Sequence, residues 1–436
     1  MDAEQRKAFD SLSDPDKETA AQLTQAISQG DADTAARLFG THPWLSALID
    51  VPCFAFDSPA IVAAASRGDR AMVDVLLAHG ADINAKSQWW AGGFGVLHHD
   101  HHALSRYLIG RGADVDAHAA AALGMIETLE RLAEEDPAVV NRRGPDGQVP
   151  LHFAKDRQVV DFLLSRGAEI DMRDLDHGST PAQWAVHDKE ICGYLVERGA
   201  APDIFMACML NDAAMLRRIL EADPNAVHAQ VGKGAFTSGD SDGGHIYVYK
   251  VGPFARPLIL ALRLHYRELV DAMLAHSSPE QRLLLACYEA DANAVRAITD
   301  AHGNLVASLK PEDEALLVDA AGDHRLDAVR TMLDAGFRVD ARRSPRSSTA
   351  LHASASRGDL DIVRFLLARG ASVHAENEFG ATPLRSCIWG SLNLQDPAGD
   401  YAGAATMLIE AGAKLPDRAA GSDSVRQLLL AHGAAG

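Results

Sequence analysis

Residues Ser347–Ala375 read SSTALHASASRGDLDIVRFLLARGASVHA, and this stretch decides the fold. Thr349 can cap a helix start with its hydroxyl. Ala350 and Leu351 begin that helix, and His352 is placed to hydrogen-bond turn backbone. Ala353 and Ala355 are small enough for two helices to approach closely. Gly358 ends the first helix, where a left-handed residue is cheap only for glycine, and Asp359 caps the next one. Ile362, Val363, Phe365, Leu366 and Leu367 form an apolar stripe at helical spacing. Gly370 stops the second helix, and Ala371–Ala375 lead into an extended turn. The unit is helix, turn, helix, turn with one face unburied, so it needs a copy of itself on each side.

Copies are present. Ser58–Lys86 repeats the plan with Ser58-Pro59, Gly68-Asp69, Val75-Leu76-Leu77 and Gly80-Ala81. Asp146–Arg173 carries Val149-Pro150-Leu151-His152, Asp174–Asp203 carries Thr180-Pro181-Ala182-Gln183, and Thr382-Pro383-Leu384 opens another unit. These signatures resemble the ankyrin repeat, whose pattern is T-P-L-H-x-A-A, then G, L-L and G-A. Continuity extends the series to roughly twelve units. The expectation is an all-α, ankyrin-type helix-turn-helix solenoid: an N-terminal arm over 1–228, an insertion at 229–256, and a C-terminal arm over 257–436 ending in a capping helix near Val425–His432. Residues 1–16 read as a polar lead-in. The insertion combines a Gly/Ser/Asp loop with Ile246–Val251, whose β-branched and aromatic alternation predicts a strand. Gly390–Gly403 reads as a second, smaller insertion.

Composition narrows the function. The chain has 436 residues with a formal net charge of −19, which disfavours unaided binding to nucleic acid or anionic membranes. No apolar run approaches the roughly 20 residues of a membrane helix, and the charged start MDAEQRKAFD does not read as a signal peptide. The five cysteines are scattered, odd in number and without a CxxC pair, which predicts reduced thiols and a cytoplasmic protein. No P-loop, GxSxG, HExxH or dinucleotide fingerprint is present.

The departures from the repeat carry the candidate chemistry. Trp89 and Trp90 lie in a glycine-rich turn and can stack on a sugar, an aromatic group or a partner's proline. The run His98-His99-Asp100-His101-His102 replaces a first helix; its imidazoles have metal-binding character, but a solvated short helix is the plainer reading, and no residue is assigned as a metal ligand. Asp116 and His118, then Asp174, Asp176 and His177, sit at turns of nearby units, where neighbouring tips can converge on an acid/base or metal-type site; aspartate is also an ordinary turn residue. Gln183 stands where histidine is usual and either faces a ligand or bonds differently, and Trp184 beside it reads as core. The insertion offers Asp240, Asp242, His245, Tyr247, Tyr249 and Lys250.

The resemblance implies a concave groove that binds a protein or peptide; the departures from the repeat supply the ligand contacts expected there, Trp89, Trp90, Asp116, Asp174, Gln183, Tyr247 and Tyr249. It also implies that His152 and His352 tie neighbouring turns together. The alternative is an enzyme or small-ligand protein with His118, Asp176, His177 and His245 as acid/base residues in the groove of the irregular repeats 87–185, lidded by 229–256. No cofactor is expected under the first reading; a divalent metal suits the second.

Overall fold

The computed structural model describes residues 13–238 and 244–436, and among these the regular structure is helical, with only isolated bridges at Phe54–Ser58 and Arg418–Ala435. The chain divides into two compact units, Met1–Leu269 and Val270–Gly436, so the insertion lies inside the first.

In the first unit, antiparallel pairs follow one another: Asp14–Gln29 with Ala32–Thr41, Ala60–Ser66 with Arg70–Ala78, Ala117–Ala122 with Ile126–Glu135, Pro181–Trp184 with Lys189–Glu197, and Ile204–Leu210 with Ala213–Ala222. Two layers have stunted first helices, as their sequences predict. Only a 3-10 turn, Pro150–Phe153, precedes Arg157–Ser165, and no helix stands between Gly80 and His102–Gly110. The second unit holds Pro279–Tyr288 with Ala292–Ala301, Leu316–Gly322 with Leu326–Asp334, Ala350–Arg357 with Leu360–Ala368, and Pro383–Asn393 with Tyr401–Glu410. The helix Asp423–Ala431 then covers the last pair with Val425 and Leu429, both fully buried.

One local device sets the pairing. An aspartate caps the second helix of most layers: Asp31 accepts from the Thr34 amide at 2.9 Å, Asp69 from Met72 at 3.0 Å, Asp212 from Met215 at 2.8 Å and Asp359 from Ile362 at 3.1 Å. In several layers the residue before the cap of the second helix is left-handed. Glycine fills it at Gly30, Gly68 and Gly358, whereas Asn211, Ala290 and His324 fill it in the degenerate layers at φ of +56°, +59° and +57°. Ile362, Val363 and Leu366 of the apolar stripe are fully buried, while Phe365 and Leu367 lie at its edges.

Three expectations need correction. Tyr247–Lys250 is a short helix rather than a strand, and its amides close on His245, Ile246 and Tyr247 carbonyls. A strand would put Tyr247 and Tyr249 on one face, whereas the helix separates them, Tyr247 inside and Tyr249 outside, and among the described residues no strand is there to pair. The lead-in is shorter than expected, since Ser13 already caps a helix at Asp14; Asp240, Asp242 and residues 1–12 lie outside the described residues. Gly390 belongs to the helix Pro383–Asn393, where a Cβ would stand 2.0 Å from the Ser356 carbonyl oxygen, so the inserted loop is 394–400.

That loop is anchored by His324, whose Nδ1 lies 2.8 Å from Asp359 Oδ2 and whose Nε2 lies 3.0 Å from Asp396 Oδ2. Burial opposes charge on the ring, but the two carboxylates outweigh it and raise the His324 pKa above 6.5. A raised folded-state pKa stabilises most below the unfolded value and is lost as pH rises through the folded one. His324→Asn, which tolerates the left-handed backbone, should therefore lower the unfolding midpoint at acidic pH and cost progressively less as pH rises through the raised value. Ala290→Gly should stabilise the second unit by roughly 0.5–1 kcal/mol, the left-handed cost of alanine less the extra entropy of glycine; urea unfolding checks both.

Candidate functional site

The turns between layers are joined by one recurring hydrogen bond. The Nδ1 of His152 accepts from the Val149 amide at 3.1 Å, and its Nε2 donates to the Ser179 carbonyl of the next turn at 3.1 Å. His352 takes the Thr349 amide at 3.2 Å and donates to the Ala381 carbonyl at 2.9 Å. Gln183 does the same with an amide: Oε1 accepts from the Thr180 amide at 3.0 Å and Nε2 donates to Asp203 Oδ2 at 3.0 Å. Gln183 is thereby buried in this link.

His98 is a further member. Its Nδ1 accepts from the Gly95 amide at 2.8 Å, so Nε2 carries the proton and donates to both Asp116 oxygens at 3.1 Å. Gly95-Val96-Leu97-His98 is thus a degenerate form of the T-P-L-H box. His101 turns away to the Ser66 carbonyl at 3.1 Å and His102 is exposed, so the histidine run does not converge. His118 donates from Nε2 towards the Arg142 and Gln148 carbonyls at 3.0 and 3.2 Å, with Nδ1 3.8 Å from Asp116. Burial alone would raise the Asp116 pKa, but His118 and His98 hold it well below the ordinary carboxylate range.

Two long connections lean onto the turns at 143–148 and 173–179. From one side, the Trp89 loop approaches so closely that a Cβ on Gly92 would stand 1.9 Å from the Gly144 carbonyl oxygen. From the other side, the insertion sets Gly244 O 2.8 Å from His177 Nδ1 and the Ile246 amide 3.2 Å from Ser179 Oγ. Between them Pro145-Asp146-Gly147 makes a tight turn closed by the Gly147 amide on the Gly144 carbonyl at 3.0 Å, with Asp146 left-handed at φ +54°. The Asp146 carbonyl accepts from the Leu175 and Asp176 amides at 3.0 and 3.2 Å, which draws the two turns together.

The result is a buried cluster of Asp146, Asp176 and His177, whose ligand-type atoms all lie within 4.8 Å of one another. His177 Nε2 is 3.6 Å from Asp176 Oδ2. Asp146 is 8% exposed, and its Oδ1 has no hydrogen-bond partner. Burial, then the Asp176 charge, pushes the Asp146 carboxyl up to about 6, against the opposing pull of His177. Asp174 supports the cluster from outside: its oxygens accept from the His177 amide, the Ser179 amide at 3.2 Å and Trp184 Nε1 at 2.7 Å.

The sequence candidates therefore divide. Asp176 and His177 join, with Trp89 on the Asp146 side and Tyr249 5.5 Å from the His177 ring. Asp116 and His118 form a separate polar link. His245 is fully buried, edge-on to Phe236 and tilted against Tyr247, and burial pushes its pKa down to about 4. Tyr247 is buried with its hydroxyl donating to Asp203 at 2.8 Å. Trp90 and Tyr249 are exposed. Asp146 escaped the sequence reading although it occupies the turn tip between Asp116 and Asp174; Pro-Asp-Gly at the middle member of three adjacent tips was the available signal.

Models of ankyrin repeats match residues 57–88, 117–206 and 332–385. The mouse protein "Ankyrin repeat and SAM domain-containing protein 6" is 34% identical over 83 residues, which cover 18% of this chain and only 9% of that protein. The irregular stretch around Trp89–His102 and the insertion fall outside the matched residues. No helix among the described residues is long and apolar enough to cross a membrane.

Tyr247→Phe removes one of the donors to the Asp203 carboxylate, whose pKa burial already raises. The loss should cost the first unit about 1.5–3 kcal/mol, as for other hydrogen bonds to a charged group; urea unfolding of this variant beside the parent measures it.

Proposed function

The chain carries ankyrin repeats, and we propose that it is a protein-binding module whose concave turn side, in the first unit, holds a basic peptide segment of a partner. The carrying observation is a set of exposed large apolar side chains around the buried cluster: Phe56, Trp90, Leu175 and Tyr249, with Trp90 61% and Tyr249 65% exposed. Phe56 packs edge-on against Trp89 at 5.2 Å, and Trp89 meets Trp90 at 6.3 Å, so the aromatic groups are continuous. Aromatic anchors set among polar neighbours are the usual energetic centre of an interface. The net charge of −19 favours a cationic occupant.

The second reading, acid/base chemistry, draws on the raised Asp146 carboxyl beside His177. The Ser179 hydroxyl in the same turn is engaged by the His177 carbonyl and the Ile246 amide, which speaks against a serine nucleophile there. Partner binding is the better supported of the two.

Peptide display against the full-length chain tests this reading. Selected clones should be enriched in Lys and Arg, and Trp90→Ala and Tyr249→Ala should each weaken their binding about tenfold, the effect of losing an anchor worth some 1.4 kcal/mol, with the circular dichroism unchanged. Absence of enrichment, or equal binding by the double variant, would refute it.

A further inference from the structure

We infer that Asp146, Asp176 and His177 form a binding site for one divalent transition-metal ion, of the zinc class, beneath the aromatic turn tips. The inference goes beyond partner binding and does not depend on it.

The geometry supplies one nitrogen and two carboxylate oxygens within 4.8 Å of one another. Metal–ligand bonds of about 2.0–2.2 Å in tetrahedral sites place neighbouring ligand atoms roughly 3.5 Å apart. The 3.6 Å separation of His177 Nε2 and Asp176 Oδ2 already meets that spacing, and the Asp146 carboxylate closes the set by a small side-chain rotation.

The imidazole is prepared for coordination. His177 Nδ1 lies 2.8 Å from the Gly244 carbonyl, which can only accept, so Nδ1 holds the proton and Nε2 presents its lone pair to the carboxylates. A carbonyl or carboxylate on the far nitrogen is the usual outer support of a metal-bound histidine. Asp174 fixes the other coordinate of the ring by accepting from the His177 backbone amide.

An independent observation comes from Asp146. Its side chain is more than nine-tenths buried and its Oδ1 has no hydrogen-bond partner, although it faces a second carboxylate. An unpaired buried carboxylate oxygen is costly, and the left-handed backbone at Asp146 adds to that cost. A dication bound between the two carboxylates satisfies that oxygen and neutralises both charges. One imidazole with two carboxylates suits zinc, manganese or iron(II) better than calcium or magnesium, which prefer all-oxygen shells.

Two other histidine–carboxylate groups among the described residues, at His324 and His98, do not offer the same chemistry. Both ring nitrogens of His324 face carboxylates, and His98 uses both of its nitrogens in the turn link. Three protein ligands at the proposed site leave a coordination position for water or another donor.

The test uses the untagged full-length chain, stripped with chelator and titrated with Zn2+ by calorimetry and with Co2+ by visible absorption. One equivalent should bind. Asp146→Asn, which keeps the side-chain shape and tolerates the left-handed backbone, should weaken binding at least tenfold with unchanged helix signal. The double variant His101→Ala/His102→Ala should bind as the parent does, and excess Mg2+ or Ca2+ should not compete. No binding by the parent, undiminished binding by Asp146→Asn, loss of binding in the histidine-run variant, or displacement by Mg2+ or Ca2+ would each overturn the assignment. None of these readouts involves a protein partner, so they stand apart from the peptide experiment.

Discussion

The fold depends on a side chain that reaches from one turn to the next. A two-helix layer cannot bury its own apolar face, and stacking solves that problem only if successive layers keep register. His152, Gln183 and His352 fix the register by taking an amide of their own turn and donating to the following one. The bond satisfies turn backbone that would otherwise face a crowded layer boundary. Burial pushes the His152 pKa down to about 4, so this link is neutral near neutral pH, and glutamine, which has no titration, can replace it.

Register at the turns also explains why polar groups meet in one place. The connection before His98 and the insertion after His228 are long, whereas the turns at 114–117 and 200–203 are short. Each long segment crosses the adjacent short turn and rests on the tips beyond it, as the Gly92–Gly144 approach and the His177–Gly244 hydrogen bond record. The two central tips are covered from both sides. Asp146, Asp176 and His177, which would lie open on an uninterrupted stack, become buried.

Much of this was legible in the sequence. The Gly-Asp junctions, the apolar stripes and the T-P-L-H boxes gave the helix pairs and their order, because each is a local rule with a local cause. The clustering of irregular repeats between 87 and 256 pointed to the right part of the chain. Three things were not legible. Ile246–Val251 was too short for its period to separate strand from helix, and the outcome turned on Tyr247 finding Phe205, Phe236 and Asp203. His98 looked like part of a histidine run because its box had lost the threonine and proline. Asp146 marked only the start of a repeat, and its role depends on loops remote in sequence that exclude water from it.

That last point bears on how such a cluster persists. In a stack of nearest-neighbour layers, a local cost is borne by the interfaces that hold it rather than by one shared core. The left-handed Asp146 and its unpartnered oxygen are held by Arg143, whose guanidinium donates to the Gly147 and Arg173 carbonyls, and by the Leu175 and Asp176 amides on the Asp146 carbonyl. Gly144 is equally constrained, since a Cβ there would stand 2.5 Å from the His118 ring. These restraints surround two carboxylates that repel each other and would separate if the turns were slack. A chain selected only for stacking has no reason to hold them together, because an ordinary polar turn would serve the helices as well. The cost is intelligible if something cationic repays it at this position, and the turns are rigid enough to make that ion or side chain choose its geometry.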